Sequence, residues 1–303
     1  MAEIDTINIK GTDYRLSDAV GRSSIASVKD AENLDRLMLI GKPSGRDLTS
    51  VFSAEIKAKG DPWAWIQSRA KAANFDGLRI GDFIPLTTTK GDNIPAQKRN
   101  MQIAAIDPYY GCGDDGHAMG HHIVFIPNVP WEVSGPKVNN GSYLAWNTTS
   151  TNQGTAEQNS PYLASNLHSW EANDLLPALP SSVSDVLMMR RAAVETRYSK
   201  DGPLNDSTNW QWVDLGKVWS LSETEVFGQR VWGTPGWSVG MDCQFPIFAQ
   251  TSMRNAGGRV TWWLRSVASG SSASVCYVSY YGHPNHNDAT YWWARPRSGF
   301  LVG

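Results

Sequence analysis

Two tryptophan pairs set the strongest constraint on what this chain can fold into. Trp262-Trp263-Leu264-Arg265-Ser266 on one side and Trp292-Trp293-Ala294-Arg295-Pro296 on the other enclose Val267 to Tyr291, with the sequence VASGSSASVCYVSYYGHPNHNDATY. The fold must hold a polar, adaptable stretch against a tryptophan-lined frame. Tyrosine supplies large amphipathic contact area at low entropic cost, while Ser, Gly and Asn supply adaptable hydrogen bonding. The insert contains no Lys, Glu, Gln, Met or Trp, where about four such residues are expected at the chain's overall usage. Two plainer readings fit the same residues. One is a polar surface loop, the other a strand stacking Tyr277, Tyr280 and Tyr281 on a core.

The rest of the chain narrows the classes. Its 303 residues are 41% hydrophobic and 18% charged, a globular balance with ample core material. A formal net charge of −2 gives no polyanion-binding bias, so no nucleic-acid partner is expected. The 14 tryptophans divide between core packing and binding positions. Cys112, Cys243 and Cys276 are far apart, with no CxxC spacing and no disulfide framework. No basic segment followed by an apolar run opens the chain, and no long apolar stretch exists. Neither a signal peptide nor membrane insertion is therefore expected.

Alternating Ile7 and Ile9, a turn at Gly11-Thr12-Asp13 and a return from Tyr14 to Leu16 predict a hairpin over 4–16. Ser17-Asp18 reads as the cap of a following helix. A polar stretch broken at Gly41-Lys42-Pro43-Ser44-Gly45 separates an N-terminal attachment segment, 1–50, from a main domain, 51–303. Residues 53–75 read as helical, restarted at Gly60-Asp61-Pro62. Phe83–Leu86, Met101–Ile106 and His122–Ile126 read as strands. Ser160 to about Tyr198 reads as two helices parted by Leu176-Pro177 and Leu179-Pro180. A strand over Val218–Leu221 leads to a capping box at Ser222 and Glu225. Helices early and strands late, without βαβ alternation, give an α+β class.

No catalytic constellation emerges. Cys112 to His122 gathers Cys, Asp and His, but glycines dominate and the spacing matches no known ligand set, so no metal and no cofactor are expected. GxSxG, HExxH, P-loop and GxGxxG are all missing. Asp61, Asp76, Asp82, Glu223 and Glu225 read as caps or surface charges. Asn147-Thr148-Thr149 matches a glycosylation acceptor, idle without secretion.

Taken in order, Gly81-Asp82-Phe83-Ile84, His121-His122-Ile123-Val124-Phe125-Ile126-Pro127, Tyr162-Leu163-Ala164-Ser165, Trp219 to Gly228, Trp262 to Ser266 and Ala294-Arg295-Pro296 form a pattern. This pattern resembles bacterial and phage proteins with a C-type-lectin-like fold, and in particular the variable proteins of diversity-generating retroelements. Ile7 to Tyr14 with Asp18-Ala19 resembles the opening of phage tail-fibre proteins. In such retroelements, template asparagine codons scatter over types that include Ser, Tyr, His, Asp, Thr and Gly but exclude Lys, Glu, Gln, Met and Trp. The insert's composition matches that exclusion. The resemblance implies a variable region of about 262–300. Its diversified, ligand-binding residues would be Ser269, Ser271, Ser272, Tyr277, Ser279, Tyr280, Tyr281, His283, Asn285, His286, Asn287, Asp288, Thr290 and Tyr291. These should face solvent, while Ala273, Val275, Val278, Gly282 and Ala289 pack. Trp262, Trp263 and Arg265 should anchor one edge and Arg295-Pro296 the other, with Trp262 and Trp263 in the core and Trp292 and Trp293 left open.

It further implies a phage or prophage receptor-binding protein, made in the bacterial cytoplasm and carried on the virion tail as a homotrimer beside other tail proteins. Its target would be a host cell-surface protein or glycan. The calcium-site motifs Glu-Pro-Asn, Gln-Pro-Asp and Trp-Asn-Asp do not occur, so calcium-mediated sugar recognition is not implied. Paired C-terminal cysteines, which the similar formylglycine-generating fold would use, are also missing. Two alternatives stay open: a virion-associated hydrolase acting on surface polysaccharide, which needs a carboxylate pair in a cleft, and a purely structural virion protein.

Overall fold

In the computed structural model of the protein, residues 6–9, 12–15, 43–114, 116–135, 142–236 and 242–303 are described. The chain divides into two compact units, Met1–Lys42 and Pro43–Gly303. In the first, β1 (Thr6–Ile9) and β2 (Thr12–Arg15) pair antiparallel with Ile9 opposite Thr12. Thr12 and Asp13, expected in the turn, therefore belong to the return strand. The helix expected after Ser17-Asp18 lies outside the described residues.

The second unit begins with three short helices. In α1 (Leu48–Val51) the Asp47 side chain accepts from the Thr49 N–H at 2.9 Å. Helix α2 (Ser53–Lys59) stops at Gly60, whose left-handed φ of 88° suits a residue without Cβ. Asp61 then caps α3 (Pro62–Lys71), accepting from Trp63 N at 2.8 Å and Ala64 N at 2.9 Å, with Pro62 in the first turn. The expected single helix with a restart is thus two helices. Trp63, Ile66 and Ala70 of the expected face are buried, joined by Trp65. The Trp63 ring meets Phe125 edge-on at 5.2 Å and Phe300 at 5.6 Å.

Those two phenylalanines belong to the main antiparallel sheet. Its strands are β3 (Phe83–Thr87), β4 (Lys98–Ile106), β5 (Ile123–Pro127), β6 (Leu187–Met188), β9 (Val218–Trp219) and β13 (Gly299–Val302). They run in the order β3-β4-β5-β13-β6, and β9 also pairs with β13. The final strand lies in the middle of the sheet, with Phe300 opposite Phe125 on one side and Val218 on the other. β5 and β13 are buried along their whole length, as expected for apolar runs inside a core.

After β5 the chain enters α4 (Asn166–Trp170), capped by Ser165. It continues through a π turn, Glu171–Leu175, and a last turn, Leu176–Ala178, before α5 (Ser181–Ser184). The helical region therefore ends at Ser184. Residues expected to carry it to Tyr198 instead form β7 (Arg191–Thr196), which hairpins with β8 (Asn209–Asp214). Arg-Ala-Ala-Val-Glu has good helix propensity, but six paired positions in the hairpin outweigh it. The expected capping box is present in α6 (Glu223–Phe227): Ser222 Oγ accepts from Glu225 N at 3.2 Å, and Glu225 accepts from Ser222 N at 2.7 Å. Then come α7 (Thr251–Arg254) and a second sheet, β10 (Trp262–Val267), β11 (Ser274–Val278) and β12 (Pro284–Asp288), in that spatial order. The unit is α+β. No helix among the described residues is long and apolar enough to cross a membrane.

Candidate ligand-binding surface

The second sheet rests on β10, and every residue of β10 is buried. Trp262 Nε1 donates to Arg254 O at 2.9 Å and Trp263 Nε1 to Leu144 O at 2.6 Å, so both indoles are inside with their N–H groups satisfied. A bulge breaks the β10–β11 register between Trp263 and Val267, and there Arg265 N donates to Leu221 O at 2.8 Å. The bulge turns the Arg265 side chain into a buried ionic cluster. Its guanidinium donates to Glu225 at 2.6 and 2.9 Å, to Asp242 at 2.9 Å and to Ser220 O at 3.0 Å. Arg190 completes the group, 3.1 Å from Asp242 and 3.4 Å above the Tyr109 ring. Burial pushes the Glu225 carboxyl up, but Arg265 and Arg190 outweigh it and hold it below the ordinary range. Burial and the neighbouring Glu225 push Asp242 up. These two carboxylates are close to one another, yet both are buried and committed to arginines.

Backbone carbonyls around the frame are clamped mainly by two other arginines, Arg197 and Arg297. Arg197, at the end of β7, donates to Ala268 O at 3.0 Å, Leu204 O at 3.1 Å and Ser271 O, tying down the loop after β10. Arg297 donates to Pro127 O at 3.2 Å and Met253 O at 2.9 Å, 4.9 Å from the Trp262 ring; burial lowers its pKa to about 9. Arg295 is half-buried, bonded to Ser142 Oγ and lying over the Tyr143 ring at 5.1 Å.

On this base the insert folds as loop, strand, turn and edge strand. In the loop, Ser269 is exposed and donates to Asp206 at 2.5 Å. Ser271 and Ser272 are half-buried; Ser271 Oγ accepts from Ala273 N and Ser274 N, and Asn152 N donates to Ser272 O at 3.0 Å. After β11 comes the turn Ser279–His283. Tyr280 and Tyr281 project from it at 45% and 55% exposure, their rings 4.1 Å apart, and His283 is also exposed. Gly282 has φ of 84°, and a Cβ there would overlap Asn255 Oδ1 and lie 3.0 Å from Thr251 O, so glycine is required. Strand β12 is the sheet edge and half-buried throughout. Asn285 and Asn287 each accept from the next backbone N–H at 2.8 Å, and the His286 ring packs against Trp232 at 4.6 Å. Asp288 accepts from Thr290 N at 2.8 Å, Thr290 Oγ1 at 2.6 Å and Ser150 Oγ, closing the turn into Tyr291.

More than half of the chain, residues 140–299, matches one family model, described as a domain of unknown function (DUF6273). The chain belongs to the DUF6273 family. No curated protein and no solved structure matches it. The DUF6273 region contains the whole three-stranded sheet and all fourteen candidate residues, whereas α1–α3 and β3–β5 precede it.

Within the DUF6273 region four candidate residues are exposed, eight half-buried and two buried. The buried pair corrects the expectation that all fourteen face solvent. Tyr277, at 8% exposure, sits on the central strand, 6.0 Å from the Trp263 ring and stacked on Tyr291 at 5.8 Å. Ser279, at 4%, turns its hydroxyl inward to accept from Tyr281 N and meet His283 Nδ1 at 3.0 Å. Of the expected packing residues, Val275, Val278, Gly282 and Ala289 are buried and Ala273 is half-buried. Trp292 and Trp293 stack at 4.4 Å and are 38% and 46% exposed. Tyr143 and Trp232 also border the surface, and sequence reasoning missed both; nothing local marks them, since only the fold brings them to the insert. Among the described residues no group of three or more His, Cys, Asp and Glu side chains converges to hold a metal.

Proposed function

We propose that this protein is a ligand-binding protein of a phage or prophage tail, with a C-type-lectin-like fold in its main domain and a diversified surface on β12 and the turns either side of it. The observation that carries this reading is a coincidence of composition with depth. The insert's residues are drawn from types reachable at mutable asparagine codons, and twelve of fourteen candidates lie exposed or half-buried. The packing positions Val275, Val278 and Ala289 are buried, and the frame tryptophan pair Trp262-Trp263 is fully inside. A surface built this way accepts substitution without loss of core. Tyr280, Tyr281 and Tyr291 are the aromatic anchors, with Tyr277 supporting Tyr291 from beneath. The N-terminal unit attaches the protein to the tail and assembles it as a trimer, and several copies per particle raise avidity. Light scattering that finds a monomer at micromolar concentration removes the trimer.

The test is genetic. The gene's 3′ end is sequenced from many sibling particles, together with its flanking DNA. A flanking near-copy of codons 262–300, with differences confined to adenines in the copy, is the expected result. No copy and no variation refutes the diversified surface.

A further inference from the structure

A discontinuous band of aromatic rings borders the surface just described. Trp292 and Trp293 stack on each other, Trp293 meets Tyr143 edge-on at 5.8 Å, and Tyr291 stacks on Tyr277. The exposed Tyr280-Tyr281 pair stands on the turn that follows Tyr277 along the chain, its rings 4.1 Å apart. Exposed aromatic area of this kind on one face marks a binding surface rather than scattered apolar residues.

We propose that this band binds a neutral glycan, with Trp292 and Trp293 as a constant stacking platform and the tyrosine, asparagine and histidine side chains beside them selecting among sugars. The proposal rests on the display-surface reading and adds the ligand class. Three observations point to it. First, charge: from Val267 to Trp293 the sole formal charge is Asp288, and its carboxylate is already occupied by Thr290 and Ser150. That span has no Lys or Arg, and the bordering Arg295, over the Tyr143 ring, is paired with Glu132 at 3.7 Å, so an uncharged polyol fits this surface better than a polyanion. Second, constancy: tryptophan cannot arise at a mutable asparagine codon, so Trp292-Trp293 stays fixed while its neighbours change. A fixed platform is useful when every ligand shares one feature. The C–H face of a pyranose recurs in any hexose chain and lies flat on an indole, whereas protein epitopes share no such element. Third, polar geometry: on edge strand β12 the Asn285 and Asn287 carboxamides are each fixed through Oδ1 by the next backbone N–H. This leaves each NH2 without an intramolecular hydrogen-bond partner among the described residues, ready to donate to ring hydroxyls.

The experiment uses the full chain in EDTA, with a panel of neutral polysaccharides (cellulose oligomers, starch, galactomannan, xylan) and heparin as the polyanion control. Affinity electrophoresis and tryptophan fluorescence titration are the readouts. Retardation by at least one neutral glycan and none by heparin is expected, with affinity about tenfold weaker in Trp292→Ala and in Trp293→Ala and partly restored in Trp293→Phe. Circular dichroism confirms that these exposed-site variants remain folded. No retardation by any neutral glycan, or retardation that both alanine variants keep, overturns the proposal. Adsorption to host cells separates it from the reading beneath it. Adsorption abolished by protease but untouched by periodate removes the glycan and leaves the variable surface standing. Glycan binding without allelic variation does the reverse.

Discussion

β10 and β12 flank the same central strand, yet all of Trp262–Val267 is buried and all of Pro284–Asp288 is half-buried. β10 is enclosed on its outer side as well: Arg295 N donates to Thr261 O, Trp263 N to Arg295 O, and Arg265 N to Leu221 O. Among the described residues β12 has no such neighbour, since it ends the sheet. The contrast shows that tolerance to substitution is set by which side of β11 a residue stands on, more than by its chemical type. It also predicts a gradient of mutational cost across three strands.

The largest effect belongs to the buried side. Arg265→Met leaves Glu225 and Asp242 in the interior with Arg190 as the one remaining paired cation among the described residues. Breaking a buried ion cluster by removing one partner costs about 3–5 kcal/mol. Urea denaturation at neutral pH should therefore show a large loss for this variant, and a cost under about 1 kcal/mol would mean the cluster is solvated.

Next comes the middle strand. Tyr277→Ala removes a ring packed between Trp263 and Tyr291, at a cost of about 3 kcal/mol for a buried aromatic. Gly282→Ala is smaller, about 1–3 kcal/mol for a strained left-handed backbone with a blocked Cβ. Thermal unfolding midpoints should rank the two in that order. A Tyr277→Ala protein as stable as wild type would return Tyr277 to the variable set.

Much of this gradient could be read from sequence and some could not. The packing roles of Trp262 and Trp263, the capping box at Ser222 and Glu225, and strands β3, β4 and β5 follow from local pattern, which is where sequence carries information. β7 did not, because Arg191–Thr196 has helical propensity and only the facing Asn209–Asp214 makes it a strand. Tyr277 and Ser279 were assigned by residue type, and type does not encode depth: Tyr277 is buried and Tyr280, three residues on, is exposed. Arg197 takes the loop-clamping role because the fold brings the distant loop that carries Ala268 O and Ser271 O, together with the nearer Leu204 O, to its guanidinium.

A pH titration sharpens the same contrast from the core side. Glu171 is fully buried, accepting from Ser220 Oγ and Ser298 Oγ at 2.5 Å and from Tyr162 Oη, and burial raises its pKa above the ordinary 4.5. A carboxyl raised in the folded state contributes stability that is complete below its unfolded pKa and declines as pH rises through its folded one. The stability of wild type relative to Glu171→Gln should thus be most favourable in acid and fall toward neutrality, by about 1.4 kcal/mol for each pH unit by which the pKa is raised. Glu225, depressed by Arg265 and Arg190 against its burial, works in the opposite sense and loses its contribution as pH falls through its folded pKa. A relative stability of Glu171→Gln that does not vary with pH would show that the Glu171 pKa is the same in the folded and unfolded chain, and a relative stability that falls in acid would show that Glu171 stays ionised in place.

The smallest effect is expected at the exposed edge, and it distinguishes a display surface from a structural one. Tyr280→Ser, Tyr281→Ser and Asn287→Ser alter side chains that project from the turn or from the free side of β12. Surface changes away from packing cost within about 0.5 kcal/mol, so unfolding midpoints should coincide with wild type even in the triple variant. Adsorption to target cells should fall in the same protein, because the lost area is contact area. If stability fell by several kilocalories while adsorption held, β12 would be an internal seam between subunits and the comparison with β10 would dissolve. Near-native stability with altered adsorption would show that the edge strand carries recognition and the buried strand carries the fold.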